Sequence, residues 1–102
     1  MDYQTIRVIK EESKADMNYS FEKEICKISI VKDKEGNNYL REYKKSCVAE
    51  SNGRPATYER DYLYPLKCDE AEDISEDNWR QCMLNHFGES IELLSKCAEG
   101  VF

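Results

Sequence analysis

Hydrophobic and polar residues alternate in the first two thirds of the chain and follow a helical period in the last third. Alternation with a period of two is typical of β-strands that bury one face. Residues 3–9 are rich in β-branched side chains and predict a first strand. The next alternating residues are Met17, Tyr19, Phe21, Cys26, Ile28 and Ile30. Their phase changes between residues 21 and 26, which indicates a bulge or two short strands.

Two turn signals predict how the next strands pair. Gly36-Asn37 is suited to the centre of a two-residue hairpin turn, and it would place Cys26 opposite Cys47. Asn52-Gly53 predicts a second tight hairpin. Together the two registers predict one apolar face, which consists of Cys26, Ile28, Ile30, Tyr43, Cys47, Tyr58, Tyr62 and Tyr64. The opposite face would carry Lys27, Glu42, Lys44, Ser46, Glu59 and Asp61.

A single helix is predicted after Pro65. Ser75 is suited to capping its N-terminus, and Glu76 and Asp77 would lie in its first turn, where the helix dipole favours acids. Between residues 79 and 98, apolar side chains, Phe87 among them, fall on one half of the helix. Gly88 weakens the helix and is compatible with a kink or with two shorter helices.

These elements predict a single α+β domain over residues 1–102. Its antiparallel sheet would have about three to five strands within residues 3–65. One amphipathic C-terminal helix, about residues 76–99, would pack on the Tyr, Ile and Cys face of the sheet. A chain of 102 residues forms one core and is too short for two. No apolar stretch is long enough for a transmembrane helix, and the first residues lack the features of a signal peptide.

The net charge of −6 is concentrated at the C-terminal end. Residues 1–67 contain 13 basic and 12 acidic residues, whereas residues 68–102 contain 2 basic and 9 acidic ones. Clustered carboxylates speed association with a basic partner, so this acidic segment is the predicted partner-binding surface. Its predicted residues are Asp69, Glu70, Glu72, Asp73, Glu76, Asp77, Glu89 and Glu92. The alternative is a solubilising loop that precedes a helix.

The number and spacing of the cysteines indicate that they are reduced thiols and not disulfides. Their number is odd and no two form a Cys-x-x-Cys pair: Cys26, Cys47, Cys68, Cys82 and Cys97. We therefore predict a cytoplasmic protein, with a secreted domain that has two disulfides and a spare thiol as the alternative. Cys26 and Cys47 are the candidate thiol pair if the compartment is oxidising. Cys82 and His86 are four residues apart, but a metal site would need a further ligand such as Cys68, so no metal and no cofactor are predicted.

Direct nucleic-acid binding and catalysis have weaker support. Aromatic and basic residues interleave as in sheets that stack single-stranded nucleic acid: Tyr39, Arg41, Tyr43, Lys45, Tyr58, Arg60 and Tyr62. We expect the helix to cover this face, and an acidic protein is poorly suited to nucleic acid, so no direct binding is predicted. With His86 as the only histidine and no nucleophile or phosphate-loop motif, no catalytic residue is assigned and no enzyme is predicted.

The preferred hypothesis is a small protein-interaction domain. It would be an inhibitor or adaptor whose acidic segment engages a basic, nucleic-acid-binding partner protein, with no membrane partner. In size and charge the chain is similar to phage-encoded inhibitors of host defence, including anti-CRISPR proteins. The alternatives are a secreted, disulfide-stapled binding domain and a thiol- or metal-dependent enzyme that uses Cys82, His86 or Cys68. The oligomeric state is not predicted.

Overall fold

The computed structural model describes residues 2–15, 23–49 and 54–99. They form one antiparallel sheet whose five strands lie side by side in chain order. The strands are β1 (Gln4–Ala15), β2 (Lys23–Lys32), β3 (Asn38–Ala49), β4 (Pro55–Pro65) and β5 (Ile91–Glu99). Between β4 and β5 lie α1 (Glu70–Asp73), α2 (Trp79–Asn85) and a 3-10 turn at Phe87–Glu89. We call residues 66–90 the helical insertion. The predicted combination of an antiparallel sheet with helical structure is confirmed in this coarser form.

The last third of the chain does not form the predicted single helix over residues 76–99. Helix α2 ends at Asn85, and Ile91–Glu99 is a strand that pairs with β4, with Ile91 opposite Leu63. The apolar residues after position 90 fit a strand as well as a helix, and β4 offers this segment an unpaired edge. Backbone hydrogen bonds to that edge therefore favour a strand over a helix for residues 91–99. Gly88 does not kink a helix, because α2 has already ended at Asn85.

The loop between β2 and β3 has five residues, 33–37, instead of two. Asp33 organises it, since one carboxylate oxygen accepts hydrogen bonds from the amides of Glu35 and Asn37, both at 2.9 Å. The other oxygen accepts one from the Tyr39 hydroxyl at 2.9 Å. Gly36 has a φ of 89°, a conformation that glycine adopts without strain. The aspartate thus stabilises a longer turn than the Gly-Asn pair alone predicts.

The longer loop turns the side chains of β3 to the opposite faces from those predicted. Cys26 pairs with Lys44, and Cys47 pairs with Lys23. Since alternate residues of a strand point to opposite faces, Tyr43 and Cys47 leave the predicted apolar face. The residues of β3 that join it are Leu40, Glu42, Lys44 and Ser46.

The predicted opposition of Cys26 and Cys47 is therefore wrong. The two residues lie on opposite faces of the sheet, so they do not face each other across β2 and β3. Two other predictions, the alternation on residues 17–21 and the tight turn at Asn52-Gly53, lie outside the described residues.

One hydrophobic cluster of the core lies between one sheet face and the helical insertion. Its buried residues are Ile9, Cys26, Ile28, Ile30, Leu40, Tyr64, Ile74, Trp79 and Cys82. Burial of a large apolar side chain stabilises the folded state by about 1.5–3 kcal/mol. Helices as short as α1 and α2 are not stable by themselves in water, so this burial stabilises them. Residues 74–83 cover the Cys26, Ile28 and Ile30 face, but only residues 79–83 of this segment belong to a helix, α2. No helix in the described ranges is long and apolar enough to cross a membrane.

Arg7 ties the helical insertion to the edge strand β1. Its guanidinium donates one hydrogen bond from Nη1 to the carbonyl oxygen of Ile74 at 2.8 Å. A second runs from Nη2 to the carbonyl oxygen of Ala71 at 2.6 Å. The carbonyls at the end of a helix have no partner within it, and a cation is favourable there. One side chain of the sheet therefore holds the C-terminal end of α1.

We expect Arg7→Ala to lower the free energy of unfolding by about 1–3 kcal/mol, because two carbonyls lose a charged donor. Urea denaturation measures the change. Lys14→Ala is the matched control on the same strand, since Lys14 is exposed and its one ion pair with the described residues is a 3.9 Å contact with Glu12. The control should change stability by less than about 0.5 kcal/mol. Equal losses in the two variants would contradict the role of Arg7.

Candidate functional site

The helical insertion carries most of the predicted partner-binding carboxylates. Five of them are exposed in a short segment: Asp69, Glu72, Asp73, Glu76 and Asp77. Glu89 is also exposed, in the 3-10 turn at the end of the insertion. Glu92 is exposed too, but it belongs to β5, where it pairs with Tyr62. The structure therefore brings these acids onto one element, with Glu92 on the adjoining strand and Glu70 in a different environment.

The exposed acids of residues 69–77 are not neutralised by neighbouring cations. Within the ranges that the structure describes, none of the five forms an ion pair. Arg80, a cation of the same insertion, lies over the ring of Trp79, with 4.8 Å between its guanidinium carbon and the ring centroid. These carboxylates are therefore available to a basic group from outside.

A hydrogen-bonded turn holds Glu76 and Asp77 on the surface. The Ser75 amide donates to Oδ1 of Asn78 at 2.7 Å, and the side-chain amide of Asn78 donates to the Asp73 carbonyl at 2.7 Å. The prediction that Ser75 caps a helix starting at residue 76 is wrong, because α2 starts at Trp79, after this turn. Glu76 and Asp77 therefore precede the helix and project into solvent.

Two large apolar side chains are exposed on the same insertion. Leu84 and Phe87 retain 62% and 65% of their accessible surface. The helical pattern predicted Phe87 on the buried side, but α2 ends at Asn85 and the chain changes direction before Phe87. Exposed apolar residues beside charged ones are a common feature of protein interaction surfaces.

Beneath the acidic surface, Glu70, Cys82 and His86 converge. The Nε2 atom of His86 lies 2.8 and 2.7 Å from the two carboxylate oxygens of Glu70. The Cys82 Sγ lies 3.8 Å from Oε2 of Glu70. Cys82 and His86 are only 8% and 6% exposed, and Glu70 also accepts the Lys67 amide at 2.9 Å. The three side chains therefore connect α1, α2 and the residue that follows α2.

The environment lowers the pKa of the Glu70 carboxyl and raises the pKa of the Cys82 thiol. Partial burial opposes ionisation of Glu70, but hydrogen bonds from the Lys67 amide and from His86 outweigh it, so the pKa of this carboxyl lies below its ordinary value. Burial, followed by the charge of Glu70, raises the pKa of the Cys82 thiol to about 11. Such a thiol is protonated at neutral pH and is a poor nucleophile, which does not favour thiol catalysis.

Sequence reasoning identified only two members of this cluster. The spacing of Cys82 and His86 predicts that they share a helix face, whereas the acidic run of the sequence predicts Glu70 on the partner-binding surface with the other acids. The suggested further ligand, Cys68, is exposed, as is Cys97 on β5. One carboxylate of the acidic run turns inward, and no pattern in the sequence marks which one.

The interleaved tyrosines and bases do not form one platform. Tyr39, Arg41 and Tyr43 lie on the sheet face opposite the insertion, whereas Tyr58 and Tyr62 lie on the face that the insertion shares. Arg41 also makes a bidentate contact with Asp61, at 2.9 and 2.6 Å. The register of β3 therefore puts these tyrosines on two different faces, so they cannot stack nucleobases as one surface.

Comparisons with known proteins give no match for this chain among family models, curated proteins or solved structures.

We expect Glu70→Gln to lower the free energy of unfolding by about 1–3 kcal/mol near neutral pH, because a charged acceptor of two hydrogen bonds is lost. The pKa of Glu70 is lowered in the folded state, so its ionised form stabilises the fold above the pKa of the unfolded chain. That contribution is lost as the pH falls through the folded-state pKa, so the two proteins should converge in acid. Denaturation at several pH values measures this difference.

The exposed Glu72 provides the control, since Glu72→Gln removes the same charge from the same helix. Its effect on stability should be small at every pH. A pH-independent difference between wild type and Glu70→Gln would contradict the role given to the Glu70 charge.

Proposed function

We propose that this protein is a small interaction domain whose helical insertion binds a partner protein with a basic surface. The observation that carries the proposal is the set of exposed, unpaired carboxylates on residues 69–77 within the described chain. Like charges held close together repel one another, and a basic partner relieves that repulsion. Their long-range field would also speed the encounter with such a partner.

Leu84 and Phe87 support an interaction surface rather than a merely solubilising one. A solubilising element has no need of two large apolar side chains in water. Interfaces commonly combine an apolar or aromatic centre with a charged rim, and aromatic side chains contribute much of the binding energy. In this proposal Phe87 and Leu84 are the apolar contacts, and the carboxylates provide the rim.

In its most specific form, the proposed protein is an inhibitor of a nucleic-acid-binding protein. Phosphate-binding grooves are lined with Lys and Arg, and these side chains form the same charge-assisted hydrogen bonds with carboxylates. A phage-encoded inhibitor of host defence, of which an anti-CRISPR protein is one kind, would act in this way. Size and charge support this form, and competition with DNA or RNA for the partner distinguishes it from an adaptor.

A cytoplasmic location is part of this proposal. The chain has five cysteines, an odd number, and four of them are free thiols in the structure: Cys26, Cys68, Cys82 and Cys97. Reducing compartments keep thiols in this state. A secreted domain with two disulfides is the alternative, and Cys26 and Cys47, on opposite sheet faces, do not favour it.

Charge reversal on the insertion should weaken partner binding at least about tenfold, a loss of roughly 1.4 kcal/mol, with little change in melting temperature. The variant replaces three exposed acids by Lys: Asp69, Glu72 and Asp73. Glu70 is left unchanged because it is hydrogen-bonded within the fold. The tagged protein is first used to purify the partner from the cells that encode it, and binding to that purified partner is then measured.

The control makes the same change in net charge elsewhere on the molecule. It replaces three exposed acids of β1, β2 and the β2–β3 loop by Lys: Glu11, Glu24 and Glu35. The control should bind the partner with nearly the affinity of the wild type. Equal weakening by the two variants would show that overall charge, and not this surface, governs binding.

A further inference from the structure

We propose that Glu70, Cys82 and His86 form a Zn²⁺-binding site inside the helical insertion. The three donors are a carboxylate oxygen, a thiol sulfur and an imidazole nitrogen, and they come from α1, from α2 and from the residue after α2. The site is independent of the proposed partner-binding surface, because two of its three residues are buried and the surface acids are not among them.

The donor set determines which class of ion is suited to the site. Zinc binds sulfur, nitrogen and oxygen ligands together, and a thiolate beside an imidazole is typical of its sites. Mg²⁺ and Ca²⁺ prefer oxygen ligands alone, so a sulfur donor disfavours them. The geometry and chemistry therefore favour Zn²⁺, and Co²⁺ is its spectroscopically visible substitute.

One pair of donor atoms already has the separation that a tetrahedral ion requires. All three are within 4.8 Å of one another. Bond lengths of about 2.0–2.3 Å to zinc place neighbouring ligand atoms roughly 3.3–3.8 Å apart. Cys82 Sγ and Glu70 Oε2 are already 3.8 Å apart. The 2.7 Å contact between Glu70 and His86 must open by roughly half an ångström. Rotation of the Glu70 side chain can provide this.

A buried nitrogen on the far side of His86 supports the proposal. Nδ1 is buried without a hydrogen-bond partner among the described residues, and Oε2 of Glu89 lies 3.7 Å from it. A neutral imidazole that donates from Nε2 to Glu70 leaves Nδ1 as an acceptor that faces a second carboxylate. When Nε2 binds a metal, the ring proton moves to Nδ1, which can then donate to Glu89. Metal-binding histidines commonly have such a carboxylate partner.

Binding exchanges one proton for the ion. The Cys82 thiol loses its proton to solvent and becomes the thiolate ligand, while the imidazole proton passes from Nε2 to Nδ1 by exchange with water. Glu70 binds as a carboxylate, so one Zn²⁺ enters and one proton leaves. The Glu70 side chain is 27% exposed, which gives the ion a path from solvent and leaves a fourth position to water. The bound ion would link α1 to α2.

Metal titration of the reduced, chelator-treated full-length protein tests the site. Co²⁺ should bind with one equivalent and produce the near-ultraviolet charge-transfer absorption of a cobalt thiolate. Zn²⁺ should displace it and raise the melting temperature. Cys82→Ser should abolish the absorption, whereas variants of the exposed thiols, Cys68→Ser and Cys97→Ser, should retain it. Circular dichroism confirms that each variant is folded.

Glu89→Gln provides a second test. The Glu89 side chain is 65% exposed, so this substitution leaves the packing of the core unchanged. Loss of the carboxylate behind the histidine should weaken Zn²⁺ binding about tenfold or more. The proposal is overturned if the wild type shows no cobalt thiolate absorption, or if that absorption disappears with Cys68→Ser or Cys97→Ser and persists in Cys82→Ser. Unchanged Zn²⁺ affinity in Glu89→Gln would also contradict it.

Discussion

Burial of Ile74, Trp79 and Cys82 against one sheet face is the interaction on which the rest of the structure depends. The helices of the insertion have four and seven residues, far fewer than an isolated helix needs in water. Apolar contact with the sheet therefore holds the insertion together. The link of Glu70 to His86 becomes effective because this contact excludes water from around the buried imidazole. Arg7 adds hydrogen bonds to the backbone at the edge of this contact.

The same packing separates the acidic residues into two groups. Glu70 turns inward and is hydrogen-bonded to His86, while its neighbours Glu72 and Asp73 remain in water. Glu70 is placed to bind a metal ion together with Cys82 and His86. The exposed acids have the charge to bind a basic partner. One short acidic run thus supports both proposals, and they concern different atoms of the insertion.

Much of the sheet was predictable because its alternation is local. The antiparallel strands after residue 23 and the apolar side of α2 follow from patterns that lie within single elements. The strand Ile91–Glu99 was not predictable in this way, because its apolar residues fit two periods and the unpaired edge of β4 decides between them. The register of β3 depends on the contacts of Asp33 across its loop. The role of Glu70 depends on a residue 16 positions later in the chain.

The single tryptophan of the chain provides the most direct test of the docked insertion. Trp79 is 5% exposed, at the contact between α2 and the sheet. Denaturant unfolding followed by Trp79 fluorescence and by the circular dichroism of the sheet reports both parts of the structure at once. A docked insertion predicts blue-shifted emission that is shielded from acrylamide, and coincident unfolding transitions by the two probes. Emission typical of a water-exposed indole in the folded protein, or a separate earlier transition at Trp79, would contradict this structure of the insertion.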